Sequence, residues 1–119
     1  MSQQLKDRTK AFAVRVIKMC KEVPAGKIED ILVRQVVRSA TSVGANYRSS
    51  LRGRSTADFI SKLTVAEEEA DESIYFLELL KEFNTEFAEK IDSLLKEANE
   101  LLKIIVASIL TTKERLNKK

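Results

Sequence analysis

The sequence predicts an all-α protein, an antiparallel up-down-up-down four-helix bundle in a single domain over residues 1–119. Three observations predict it. One proline and three glycines leave few chain breakers, and a β-sandwich of this length needs many more turn residues. Apolar residues recur at helical spacing in four long segments. The breaks between them, Pro24–Lys27, Gly53–Ser55 and Asn84–Thr85, are so short that sequential helices must pack antiparallel.

The first helix is expected over roughly residues 5–22, with Phe12, Val16, Met19, Cys20 and Val23 on one face. Pro24-Ala25-Gly26 ends it in a loop. The second runs over roughly 28–52 and stops at Gly53, a residue suited to follow a helix end. Ser55 with Asp58 three positions on is an acidic variant of the capping box, so the third helix covers roughly 56–83. Its stripe is Phe59, Leu63, Ala66, Ala70, Ile74, Leu77 and Leu80. Asn84 stops it, and Thr85 reads as the N-cap of a fourth helix over roughly 86–115, with Glu86 and Glu89 favourable in the first turn. The last stripe is Phe87, Ile91, Leu94, Ala98, Leu101, Ile105 and Ile109.

At 44% apolar residues the chain can bury a real core, and 33% charged residues suit solvated outer faces. A single cysteine, Cys20, forbids an internal disulfide and reads as a small buried apolar residue. The polar start Met-Ser-Gln-Gln-Leu-Lys-Asp-Arg lacks an apolar signal core, and the most apolar stretch, Leu101–Leu110, is far short of the roughly 20 residues that span a bilayer. The expectation is a cytoplasmic chain without a membrane partner. Net charge is +3 but uneven: residues 1–54 hold 12 Lys/Arg and 4 Asp/Glu, and residues 55–119 hold 9 and 14.

The second helix carries the chemistry. On a helical wheel Arg34, Arg38, Arg48 and Arg52 share an arc of roughly 80°, opposite a core face of Leu32, Val36, Ala40, Val43 and Tyr47. This assumes the helix passes through Gly44 without a large kink, at about 1 kcal/mol relative to Ala. Arg54 follows, and no acid interrupts residues 34–54. Guanidinium forks suit phosphate oxygens, so these five arginines are candidate nucleic-acid contacts, to RNA or DNA. The alternative is neutralisation by the acids of the third helix, Glu67, Glu68, Glu69, Asp71 and Glu72, or by a neighbouring subunit. Tyr47, the one aromatic nearby, points to the core, so base stacking is not supported.

Between ridge and core lie Gln35, Ser39, Ser42, Asn46 and Ser50. Gln35, Arg38, Ser42 and Asn46 read as a structural or interface motif at a close helix contact rather than a ligand site. Catalysis finds no support: histidine is absent, there is no Gly-rich phosphate loop, and the acidic run reads as a solvated face. No metal or other cofactor is expected.

The run Gln35-Val-Val-Arg38-Ser39-Ala-Thr-Ser42-Val43-Gly-Ala45-Asn46, after Val23-Pro24 and before Asp58-Phe59-Ile60, resembles the 23S ribosomal RNA intervening-sequence proteins, also called S23-type four-helix bundle proteins. The likeness covers about Leu5 to Leu110. It implies a helical bundle, commonly a ring-shaped homopentamer, with no established enzymatic activity. The family's genes were first noticed inside ribosomal RNA genes. A similar pentameric bundle is the accessory protein of diversity-generating retroelements, where a basic surface engages nucleic acid and a reverse transcriptase. After Asn46 the family often continues Ile-Ala-Glu-Gly, whereas Tyr47-Arg48-Ser49-Ser50 stands here, replacing an acidic position by neutral or basic ones.

Assembly also follows from the residues. Ile104, Ile105 and Val106 cannot all face one core, and Phe12, Ala13, Val14, Val16 and Ile17 spread around most of the first helix. The expected function is a non-enzymatic homo-oligomer, by resemblance a pentamer, that touches nucleic acid through its basic ridge. The alternative is a purely protein-binding adaptor with its arginines paired internally or at subunit interfaces.

Overall fold

The computed structural model describes residues 2–118. Four helices follow in order: α1 (Ser2–Glu22), α2 (Lys27–Ser50), α3 (Thr56–Phe83) and α4 (Ala88–Asn117), with a 3-10 turn at Thr85–Phe87 before α4. The described residues contain no strand. The whole measures 53 × 21 × 21 Å, and the 30 residues of α4 alone span about 45 Å.

Cross-helix pairs show the antiparallel order. Arg8, early in α1, pairs with Glu97 and Glu100, while Glu22 at the end of α1 pairs with Lys90 at the start of α4. Lys81 near the end of α3 meets Asp92 near the start of α4. Ser39 of α2 lies against Ser73 of α3, and Gly53 after α2 lies against Phe59 at the start of α3. Each helix packs on two neighbours, and the backbones of the diagonal pairs α1–α3 and α2–α4 stay apart.

The apolar stripes form one core. Phe12, Val16, Leu32, Val36, Val43, Leu63, Leu77, Leu80, Ile91, Leu101 and Ile105 are buried. Burying each of these large side chains stabilises the fold by about 1.5–3 kcal/mol. Val23, Phe59, Ile74 and Phe87, expected on the same stripes, are only partly buried at its margin.

The helix ends depart from expectation in four places. α1 already extends to Ser2. α2 stops at Ser50, so Arg52 sits in a following turn where its N–H donates to Ser49 O at 3.1 Å. Gly53 is not a left-handed cap, since no glycine has positive φ; a Cβ there would lie 3.0 Å from Phe59 N, so a close backbone approach requires the glycine. Thr85 supplies no side-chain cap to α4: the 3-10 turn carries the chain over, and buried Asn84 donates from Nδ2 to Leu80 O at 3.1 Å. At α3 the capping box forms, with Asp58 N–H donating to Ser55 Oγ at 3.1 Å. Its carboxylate reaches Arg54 N–H (3.1 Å) instead of the N–H of Ser55.

Candidate nucleic-acid interface

The five arginines fall into two groups. Arg34, Arg48, Arg52 and Arg54 are exposed, and no carboxylate of the described residues forms an ion pair with them. Arg38 is held: Nη1 donates to Glu69 Oε2 at 3.0 Å, Nη2 to Glu72 Oε1 at 3.1 Å, and Nε to Gln35 Oε1 at 3.4 Å. Internal neutralisation by α3 therefore takes one arginine and leaves four. Arg48 and Arg52 line a shared surface cleft with Ala45 and Ser49. Arg54 lies off α2, in the loop before the Ser55 cap.

The acids that hold Arg38 correct one reading. Glu69 is buried rather than solvated, while Glu68 and Asp71 are exposed. Burial pushes the Glu69 carboxyl up, and the neighbouring Glu72 carboxyl adds to that. Glu72 is held low, first by its neighbour Glu69 and then by Arg38. The Arg38 guanidinium is raised by Glu72 and Glu69 together. One guanidinium thus bridges two carboxylates across the α2–α3 seam.

Of the polar motif, Arg38 reaches across to α3. Asn46 is half-buried, and its Nδ2 donates within α2 to Ser42 O at 2.9 Å. Gln35 and Ser42 are half-buried, and Gln35 accepts only from Arg38. The buried cross-helix bond belongs to a residue outside the motif: Ser39 Oγ lies 3.0 Å from Ser73 Oγ, both fully buried. Its signal in the sequence was position. Ser39 and Ser73 occupy small polar places beside the core stripes, where their hydroxyls meet between two helices.

Cys20 is buried, and desolvation pushes its thiol up to about 11, so it stays a protonated, unreactive side chain at neutral pH. Among the described residues no cluster of three or more His, Cys, Asp or Glu side chains is arranged to hold a metal ion. No described helix is long and apolar enough to cross a membrane. Tyr47 is 6% exposed and packs in the core, so the surface around Arg48 and Arg52 offers guanidinium groups without an aromatic platform.

The chain is similar in sequence and shape to a protein of unknown function from the S23 ribosomal protein family of Bacteroides thetaiotaomicron. The two share 36% identity with a TM-score of 0.81, covering 88% of this chain and 97% of that one. No curated protein matches. The profile of the 23S rRNA-intervening sequence proteins matches residues 2–107, nearly the whole bundle and all of the α2 motif. With that span matched and the helical fold in place, the chain belongs to the 23S rRNA-intervening sequence protein family.

Proposed function

We propose that the protein is a non-enzymatic, self-assembling helical module that contacts the phosphate backbone of RNA or DNA through exposed arginines drawn from Arg34, Arg48, Arg52 and Arg54. The observation that carries this reading is that these four are exposed without carboxylate partners although α3, beside them, is rich in acid. Contacts of this kind are electrostatic and independent of sequence. Four of them give a slope of log K against log salt of about −3 to −4, roughly a hundredfold loss between 50 and 200 mM. The test is binding of a labelled RNA and of a DNA duplex across that range. Arg48→Glu with Arg52→Glu abolishes binding in this reading, and salt-independent binding refutes it.

Self-assembly draws on unused apolar surface. Ile28, Ile31, Tyr75 and Phe83 are 55–66% exposed, more apolar surface than a bundle needs to close its own core. The family resemblance points to a ring of five. Light scattering then reports a mass well above 13.5 kDa, and a monomer refutes it.

A second reading is a protein-binding oligomer in which a neighbouring subunit's α3 acids cover the arginines. The Arg38–Glu69–Glu72 bridge favours it, since it is such a pairing within one chain. In that case Arg48→Glu with Arg52→Glu breaks the assembly itself.

A further inference from the structure

We infer that the phosphate-contacting surface is one end of the bundle rather than the length of α2, and that Arg115 and Lys118 of α4 belong to it with Arg48, Arg52 and Arg54. The inference rests on the nucleic-acid reading above and relocates its site. The antiparallel order brings together the start of α1, the end of α2, the start of α3 and the end of α4. Residues 2–7, 46–66 and 107–118, which make up this end, hold eight Lys/Arg and three Asp/Glu; the rest of the described chain holds twelve and fifteen. Of the clefts at this end, two are lined by the cations of α2 and α4, and neither of these contains a carboxylate. One is lined by Ala45, Arg48, Ser49 and Arg52. The other is lined by Thr56, Thr112, Arg115, Leu116 and Lys118, which joins the start of α3 to the end of α4.

The acids at this end do little to neutralise it. Asp58 is turned to Arg54 N–H and to Lys62 at 3.5 Å, and Asp7 accepts from Gln3 at 3.0 Å. Only Glu114 stands without such a partner, exposed beside Arg115 in sequence. Backbone dipoles do not account for the excess of cations. Two helices begin and two end here, so their terminal partial charges oppose one another. Complementing a helix C-terminus explains Arg48 and Arg115, which lie in last turns. It does not explain Arg54, next to the N-cap of α3, where a cation is disfavoured. A polyanion docking on this end meets cations from two segments distant in sequence, 48–54 and 115–118.

Arg34 lies outside this surface, about 24 Å along α2 from Ser50, and Arg38 is occupied by Glu69 and Glu72. The two placements of the site therefore make opposite predictions. The full chain and two variants, Arg115→Gln with Lys118→Gln and Arg34→Gln, are measured against a 20-nucleotide RNA and a 20-base-pair DNA duplex between 50 and 200 mM salt. Circular dichroism checks that each variant keeps its helix content, as expected for exposed positions. The expected result is at least a tenfold loss at 50 mM for the α4 double variant, with a salt slope shallower by about two. Arg34→Gln changes affinity less than about twofold. If Arg34→Gln weakens binding and the α4 double variant binds like the parent, the site runs along α2; the end-surface inference falls while the nucleic-acid reading stands. If the parent binds neither probe at 50 mM, both fall.

Discussion

Gly44 of α2 lies directly against Thr9 of α1, so close that a Cβ on the glycine would stand 3.1 Å from Thr9 Oγ1 and 3.3 Å from Thr9 Cβ. Thr9 is fully buried, and its hydroxyl donates to Leu5 O at 2.9 Å or Lys6 O at 3.1 Å, so it has no open space into which to withdraw. The glycine that looks like a weak point in a 24-residue helix is a place where α2 approaches a buried side chain of α1 tightly.

Gly44→Ala therefore sets two effects against each other. Alanine gains about 1 kcal/mol of helix propensity, and overpacking a filled interface costs about 1–3 kcal/mol. The expected outcome is net destabilisation of about 1 kcal/mol, seen as a Tm lowered by about 4 °C. Thr9→Ala combined with Gly44→Ala removes the nearest colliding atom, Thr9 Oγ1, and recovers part of the loss. A thermal melt in which Gly44→Ala alone is more stable than the parent counts against the tight crossing.

Ser39 and Ser73 form the buried hydroxyl contact between α2 and α3. Each also reaches a carbonyl of its own helix, Val36 O at 3.2 Å and Glu69 O at 2.8 Å, so neither is orphaned when the other is removed. Ser39→Ala is expected to cost about 1 kcal/mol. The double change Ser39→Ala with Ser73→Ala is expected to cost less than the sum of the two singles, because the residues are in contact. Urea unfolding of the four proteins gives the coupling directly, and strict additivity argues against the bond.

Asn46 gives a way to separate folding from assembly. Its amide is satisfied inside α2 and its side chain is half-buried, so Asn46→Leu leaves no donor stranded in the core. The stability of the single bundle should change by less than about 0.5 kcal/mol, as for an ordinary surface site. A loss of mass by light scattering with unchanged helix content then identifies Asn46 as an interface residue. A large fall in helix content shows instead that the side chain supports the bundle.

The cap of α3 makes stability depend on acid. Asp58 is held below its ordinary 3.8, first by the Arg54 N–H and then, against the opposing effect of desolvation, by Lys62. A carboxylate with a depressed folded value stabilises the fold above its ordinary value and loses that contribution as pH falls through the folded one. Parent and Asp58→Asn should therefore differ in urea midpoint by a constant amount near neutrality. The difference closes below about pH 4. A gap that persists at pH 2 assigns the effect to shape rather than charge.

How much of the site was legible in the sequence varies from residue to residue. The core face of α2 was readable because helical periodicity alone separates Leu32, Val36, Ala40, Val43 and Tyr47 from the arginines, and all five are buried. The ridge was readable as an angle, but not the state of each member. Arg38 and Arg34 lie on the same arc, yet one meets two carboxylates and the other none, because the rotation and height of α3 against α2 decide which arginine Glu69 and Glu72 can reach. Glu69 looked like part of a solvated acidic run for the same reason: a helix of 28 residues turns some of any such run inward.

The sequence by itself determined four helices, their order and antiparallel sense, the residues of the core and the family to which they belong. Local periodicity, caps and short links act within a few residues of the chain, so a linear reading contains them. Only the tertiary structure decided that Gly44 receives Thr9, that Ser39 meets Ser73, that Arg38 is spent on α3, and that the cations of α4 stand at the same end as those of α2. Each of these joins residues at least 30 positions apart, and the physical cause is the stagger and rotation of whole helices, which pack to fill space across the bundle rather than along the chain.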